Sequence, residues 1–151
     1  MNNTKPSESS GAAKNSKVGA DYFNFMFAPP FPMVEEFWRA LEFRYYESDD
    51  GVLILRGSLN EEETGRFELL TFKMPPPIKD GEHDVSRDEA GVNATFALPS
   101  LIKADSGKLN IKRFKDGDKD TIQAQFYLAF EYDSVVYDVA GLALVHATAA
   151  S

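Results

Sequence analysis

From Ile122 to Tyr132 every second residue is apolar: Ile122, Ala124, Phe126, Leu128, Phe130 and Tyr132. A helix spreads such a set around its whole circumference, whereas a strand puts all of it on one face. The residues between include Gln123, Gln125 and Glu131, so the other face of this strand meets water. A strand of this kind needs partners, and the flanking segments supply them. Leu109 and Ile111 face inward, with Lys108, Asn110 and Lys112 outward. Placing Lys112 opposite Gln123 sets Asn110 against Gln125 and Lys108 against Tyr127, and the two faces then agree throughout. On the other side Asp133-Ser134 forms a two-residue loop with Tyr132 opposite Val135. That register pairs Phe130 with Tyr137, Leu128 with Val139, Phe126 with Gly141, Ala124 with Ala143 and Ile122 with Val145. A large ring then covers a bare glycine backbone. Leu142 and Leu144 fall on the opposite face and call for cover, for which the aromatic segment 22–41 is the obvious source.

Phe23, Phe25 and Phe27 alternate as in a short strand, stopped by Pro29, Pro30 and Pro32. Beyond Pro32, Val34, Phe37, Trp38 and Leu41 follow helical spacing and predict a short helix near 33–40. A rival reading runs Arg39 to Glu47 as a strand with Leu41, Phe43 and Tyr45 on one face. Val52–Gly57 reads as a central strand and Arg66–Met74 as the next, ended by Pro75-Pro76-Pro77. Residues 78–91 read as a polar excursion, and Val92, Ala94, Phe96 and Leu98 alternate again. Residues 1–20 hold one large apolar residue after Met1, Val18, and are expected to be a disordered tail before a single β domain over 21–147. The expected architecture is all-β: an antiparallel β-sandwich or flattened barrel of about seven or eight strands.

Three stretches resemble a domain-of-unknown-function family of small bacterial all-β proteins. Gly107-Lys-Leu109-Asn-Ile111-Lys-Arg-Phe114, the strand Ile122–Phe130 and Val139-Ala-Gly141-Leu142 look like that family's closing strands. Ile78-Lys-Asp-Gly81 resembles the loop before its middle strands. The likeness covers residues ~50–146 and implies an all-β fold, with no activity to carry over. Many members look like exported lipoproteins, whereas this sequence shows neither a signal nor a lipid-anchoring cysteine.

Charge narrows the partners. Lys5, Lys14 and Lys17 against Glu8 leave the first twenty residues at +2, so the rest carries −10 of a net −8. An acidic body repels phosphate backbones and anionic lipid, which excludes general nucleic-acid and membrane-surface binding and favours a monomer or small homo-oligomer. No apolar run approaches the ~20 residues of a membrane span. The expected compartment is the cytoplasm, with export only if a signal was removed before residue 1. Zero cysteine removes disulfides, thiolate metal sites and cysteine nucleophiles. No motif calls for a cofactor.

His83, Asp84, Ser86 and Asp88 lie close in sequence, but a triad needs convergence in space and an oxyanion hole. Asp116, Asp118 and Asp120 alternate as in a calcium loop, yet the pattern has Thr121 where glycine is needed and Tyr127 where glutamate is needed. A charged hairpin tip is the simpler account. The most specific surface feature is the outward patch of Lys108, Asn110, Lys112, Gln123, Gln125 and Tyr127, able to hydrogen-bond and stack on a polar ligand. An ordinary solvated sheet face has the same composition. A non-enzymatic binding or interaction module, taking a protein or a polar small molecule such as a glycan, fits best. The alternatives are a carboxylate-based hydrolase acting on carbohydrate and a carrier with an apolar cavity.

Overall fold

The computed structural model describes residues 21–32, 34–98 and 100–148. The tail expected over 1–20 lies outside the described residues. Eleven strands and no helix occur among those described. In chain order they are β1 (Tyr22–Ala28), β2 (Phe37–Arg39), β3 (Glu42–Glu47), β4 (Leu53–Glu61), β5 (Arg66–Met74) and β6 (Gly81–Ser86). There follow β7 (Asn93–Ala97), β8 (Leu101–Lys103), β9 (Ser106–Asp116), β10 (Lys119–Tyr132) and β11 (Val135–His146). They build two antiparallel sheets, a six-stranded one in the order β2-β1-β11-β10-β9-β6 and a five-stranded one in the order β3-β4-β5-β7-β8. The sheets are not closed into a barrel, so the flattened-barrel alternative is corrected. No helix long and apolar enough to cross a membrane occurs among the described residues.

The C-terminal registers are those expected. Lys112, Asn110 and Lys108 stand opposite Gln123, Gln125 and Tyr127, and Phe126 stands opposite Gly141. Asp133 and Ser134 both take positive φ, 54° and 64°, as a two-residue hairpin turn of the primed type requires. The alternation works because the inward set fills the space between the sheets. Phe126 of β10 lies 4.9 Å from Phe72 of β5 and 5.6 Å from Phe23 of β1, ring centroid to ring centroid. Phe96 of β7 closes the other side against Phe25, Phe27 and Phe130.

Two glycines admit these rings. A Cβ at Gly57 would lie 2.5 Å from the Phe23 ring, and one at Gly141 would lie 2.4 Å from Phe126 Cζ and 2.5 Å from the Asn24 carbonyl oxygen. Each therefore marks a place where a ring sits on backbone.

The expected helix near 33–40 is corrected. Residues 37–39 are an edge strand, with Phe25 opposite Trp38 and Met26 opposite Phe37. Trp38 points inward and stacks on Phe25 at 4.6 Å, while Phe37 and Leu41 are exposed. Pairing with β1 and burial of the indole outweigh the helical spacing. The strand of the rival reading begins at Glu42, and Leu41 lies outside it at 61% exposure. The expected cover for Leu142 and Leu144 is also corrected. β1 pairs edge to edge with β11, from Tyr22 opposite Leu144 to Ala28 opposite Asp138, and turns its Phe residues inward. The strand count rises because β2 and β8 are only three residues long and because β6 is polar. Only Val85 of β6 is buried, so its alternation is nearly silent.

One buried charge stands at the β2 side of the interior. Glu68 of β5 is 5% exposed and accepts from Trp38 Nε1 at 2.9 Å and from Arg66 at 2.9 and 3.1 Å. Arg66 also reaches Glu61 at 3.3 Å and Glu35 at 3.1 Å; the hydrogen bond to Glu68 above all, with Glu35 and Glu61 behind it, pushes its pKa up against the effect of burial. The group is satisfied by fixed donors, as a buried carboxylate requires.

Two expectations follow. Gly57→Ala costs about 1–3 kcal/mol of unfolding free energy by overpacking, and Phe23→Leu in the same chain recovers part of it, measured as non-additivity in urea melts. Glu68→Ala leaves the indole and guanidinium without their acceptor and costs about 1.5–3 kcal/mol, with Trp38 emission shifting to the red.

Candidate functional site

The outward face of the six-stranded sheet gathers all six patch residues. Lys108, Asn110 and Lys112 on β9 stand beside Tyr127, Gln125 and Gln123 on β10, and all are exposed. The patch is less free than its composition suggests. Edge strand β6 sets Asp84 opposite Lys108 and Glu82 opposite Asn110. Asp84 bonds the Lys108 ammonium directly, and Glu82 lies 3.7 Å from it. Each partner fixes the other's charge: the hydrogen bond and charge of Asp84 raise the Lys108 pKa, and those of Lys108 lower that of Asp84. Gln125 Nε2 donates to the Tyr127 hydroxyl at 2.9 Å, so these two side chains support each other along the strand.

Across β11 the same face changes character. One transverse row runs Phe37, Met26, Ala140, Tyr127, Lys108, Asp84, and the next runs Arg39, Asn24, Leu142, Gln125, Asn110, Glu82. Phe37 (47%), Met26 (48%), Leu142 (51%) and Tyr127 (54%) are all about half exposed and lie side by side. Between them Ala140 and Gly141 leave a groove of about 340 Å³. Lone exposed apolar residues are ordinary, but a contiguous set beside a small-residue floor is not. Sequence reasoning found Leu142 and missed Met26 and Phe37, whose neighbours depend on β1 and β2 being edge partners of β11.

A second hollow, of about 630 Å³, opens between the sheets at one end of the fold. Its wall includes Tyr45, Leu53, Ile78, Asp80, Arg113 and Asp120. Burial raises the Tyr45 pKa, opposed by the charge and hydrogen bond of Arg113, so the phenol stays neutral near pH 7. Arg113 donates from Nη2 to the Ile78 carbonyl at 3.1 Å and from its backbone N–H to Asp80 at 3.0 Å. Asp120 is paired with Lys115 at 3.1 Å. The carboxylates Asp80 and Asp120 are thus each engaged in holding the hairpin ends.

The remaining candidates do not converge. His83 sits on the inward side of β6 with Nε2 at 2.5 Å from the Lys79 carbonyl, while Asp84 points to the outer face. Ser86 Oγ and Asp88 Oδ1 accept turn N–H groups at 3.2 and 2.9 Å. Adjacent residues of a strand face opposite ways, which separates this set. Asp116 and Asp120 belong to strands and Asp118 to the turn between them. Asp120 faces Lys115 and Asp116 faces His146. Among the described residues no three His, Cys, Asp or Glu side chains gather as metal ligands would.

His146 holds the strand ends together. Its Nδ1 lies 2.5 Å from Asp21 and its Nε2 2.8 Å from Asp116, joining the start of β1 to the end of β9. Burial opposes charging the imidazole, but the two carboxylates outweigh it and hold the pKa above the ordinary 6.5. A raised folded-state pKa gives stability that is complete below the unfolded value and lost as pH rises through the folded one. The thermal midpoint of the native chain, taken relative to His146→Asn, falls as pH climbs from about 5 to about 9; a difference independent of pH contradicts the role of the charged imidazole.

No family model matches the chain, and no curated protein or solved structure matches it.

Proposed function

We propose that this chain is a non-enzymatic interaction module whose six-stranded sheet docks another macromolecule by its outer face. The observation that supports the reading is the contiguous exposure of Phe37, Met26, Leu142 and Tyr127 on that face. Desolvating four half-exposed large side chains supplies the gain, and the adjoining polar residues supply hydrogen bonds at the rim. Lys108 and Lys112 balance the charges of Asp84 and Glu82, which lowers the net charge that a partner meets at this end of the face. Ring contacts between the sheets leave the inward Phe positions filling the core, which argues against a carrier. Engagement of Asp80 and Asp120 with Arg113 and Lys115 argues against a carboxylate pair held for hydrolysis. Membership of the small bacterial all-β family is part of the same proposal and adds no activity to it.

The test is site-specific photocrosslinking in cells, with the reactive group at position 127 and, as control, at Lys73 on the outer face of the other sheet. A discrete adduct forms from 127, is absent from 73, and falls at least tenfold when Leu142→Lys is added to a chain that still folds. Adducts that are equal from both faces, or that survive Leu142→Lys, retire the reading. Replacing Lys108, Lys112 and Tyr127 together by alanine weakens the adduct partner's binding, and unchanged binding removes the polar patch from the contact.

A further inference from the structure

The groove on this face is polarised, and we infer that it takes a short polypeptide segment carrying a bulky apolar residue and, two to four residues from it, a lysine or arginine. The inference rests on the docking reading above. The hollow at Gly141 continues into a second one of about 530 Å³, and both share Met26, Tyr127 and Ala140 as wall. The combined groove follows β11 from Leu142 to Asp138, about 13 Å at the rise of a strand. Its two ends differ. From Leu142 to the Ala140 row the walls are the large apolar side chains Leu142, Met26, Phe37 and Tyr127, with Arg39 stacked over Phe37 at 5.0 Å. At the Asp138 end the floor is Ala28 and Ala129, and the charged groups are Glu36 and Asp138. Both acids are exposed, and among the described residues neither is paired with a cation.

An apolar wall reaching from Leu142 to the Ala140 row and two uncompensated carboxylates about 7–13 Å along β11 specify an apolar side chain and a cation at that spacing. The fit is to two to four residues of extended chain. A second copy of this chain fits poorly. Each copy carries a net −8 and brings its own Glu36 and Asp138 to the contact. Four strands by 13 Å offer about 250 Å² per copy, well short of the ~1,000 Å² in total expected of a specific dimer.

Fluorescence polarisation of the full chain against labelled dodecapeptides tests this. Each peptide carries one Phe and one Arg walked from one to six positions before or after it, and its twin has Gln in place of Arg. The expected result is an optimum between two and four, with the Arg peptide binding at least tenfold tighter than its twin. That advantage disappears in Glu36→Gln/Asp138→Asn, and binding of both peptides disappears in Leu142→Lys. Peptides that bind independently of Arg but remain sensitive to Leu142→Lys overturn the inference and leave the docking face standing. Binding insensitive to Leu142→Lys, or no binding by any peptide at 1 mM, overturns the inference, and in that case the crosslinking experiment alone decides the docking face. Self-association in sedimentation equilibrium that is abolished by Leu142→Lys identifies a second copy as the occupant and overturns it as well.

Discussion

The spacing of the two sheets is set where Phe23 and Phe126 press onto glycine backbone. Phe23 leaves the six-stranded sheet and lands on Gly57 of the facing one, while Phe126 leans across its own sheet over Gly141. The two rings meet each other and Phe72, so one cluster ties β1, β10 and β5 together. A side chain at either glycine would force a ring out of the middle of the molecule. Because interiors are close-packed and do not deform continuously, that displacement would reach the strands on both sides. The outer face is hollow for its own reason: between Leu142 and Asp138 β11 presents only Ala140, and the half-exposed side chains of Met26 and Tyr127 rise on either side of it.

Much of this was legible in the chain, for a physical reason. A strand buried on one face writes its register in the period of its apolar residues, and a slip of one residue would turn Phe126 and Phe130 to water. The β9-β10-β11 registers could therefore be read residue by residue. Elements without that signature could not. β6 buries only Val85, and β2 and β8 are too short to show a period at all. The helical spacing of Val34, Phe37, Trp38 and Leu41 misled because spacing cannot distinguish a stripe facing one core from residues divided between two faces. Trp38 goes inward to Phe25 and Glu68, and Phe37 stays outside.

The same limit governs the candidate site. The six patch residues came together because they lie on strands whose register was readable. Their electrostatic surroundings could not be read because β6 was invisible, and β6 carries the Asp84 and Glu82 that hold Lys108. The two lysines of the patch are matched by these two carboxylates. The apolar half was half visible: Leu142 clearly lacked cover, but its neighbours Met26 and Phe37 arrive from the other end of the chain through edge pairing. Long-range neighbours across an edge leave no local trace in sequence.

Edges and face then divide the work of controlling association. Exposed strand edges recruit other strands without discrimination, and charge is a common guard. The β6 edge of the six-stranded sheet carries Glu82 and Asp84, and the opposite edge is the three-residue β2, too short to template a partner. Strand addition at either end is thereby discouraged, while the broad face between them keeps its apolar side chains in water. An acidic net charge supports solubility despite that exposure and repels further copies of the chain. The same charge attracts a basic partner, and Glu36 and Asp138 concentrate it at one end of the groove. On the proposed reading, long-range attraction would bring such a partner to the surface, and the apolar wall would select the segment that stays.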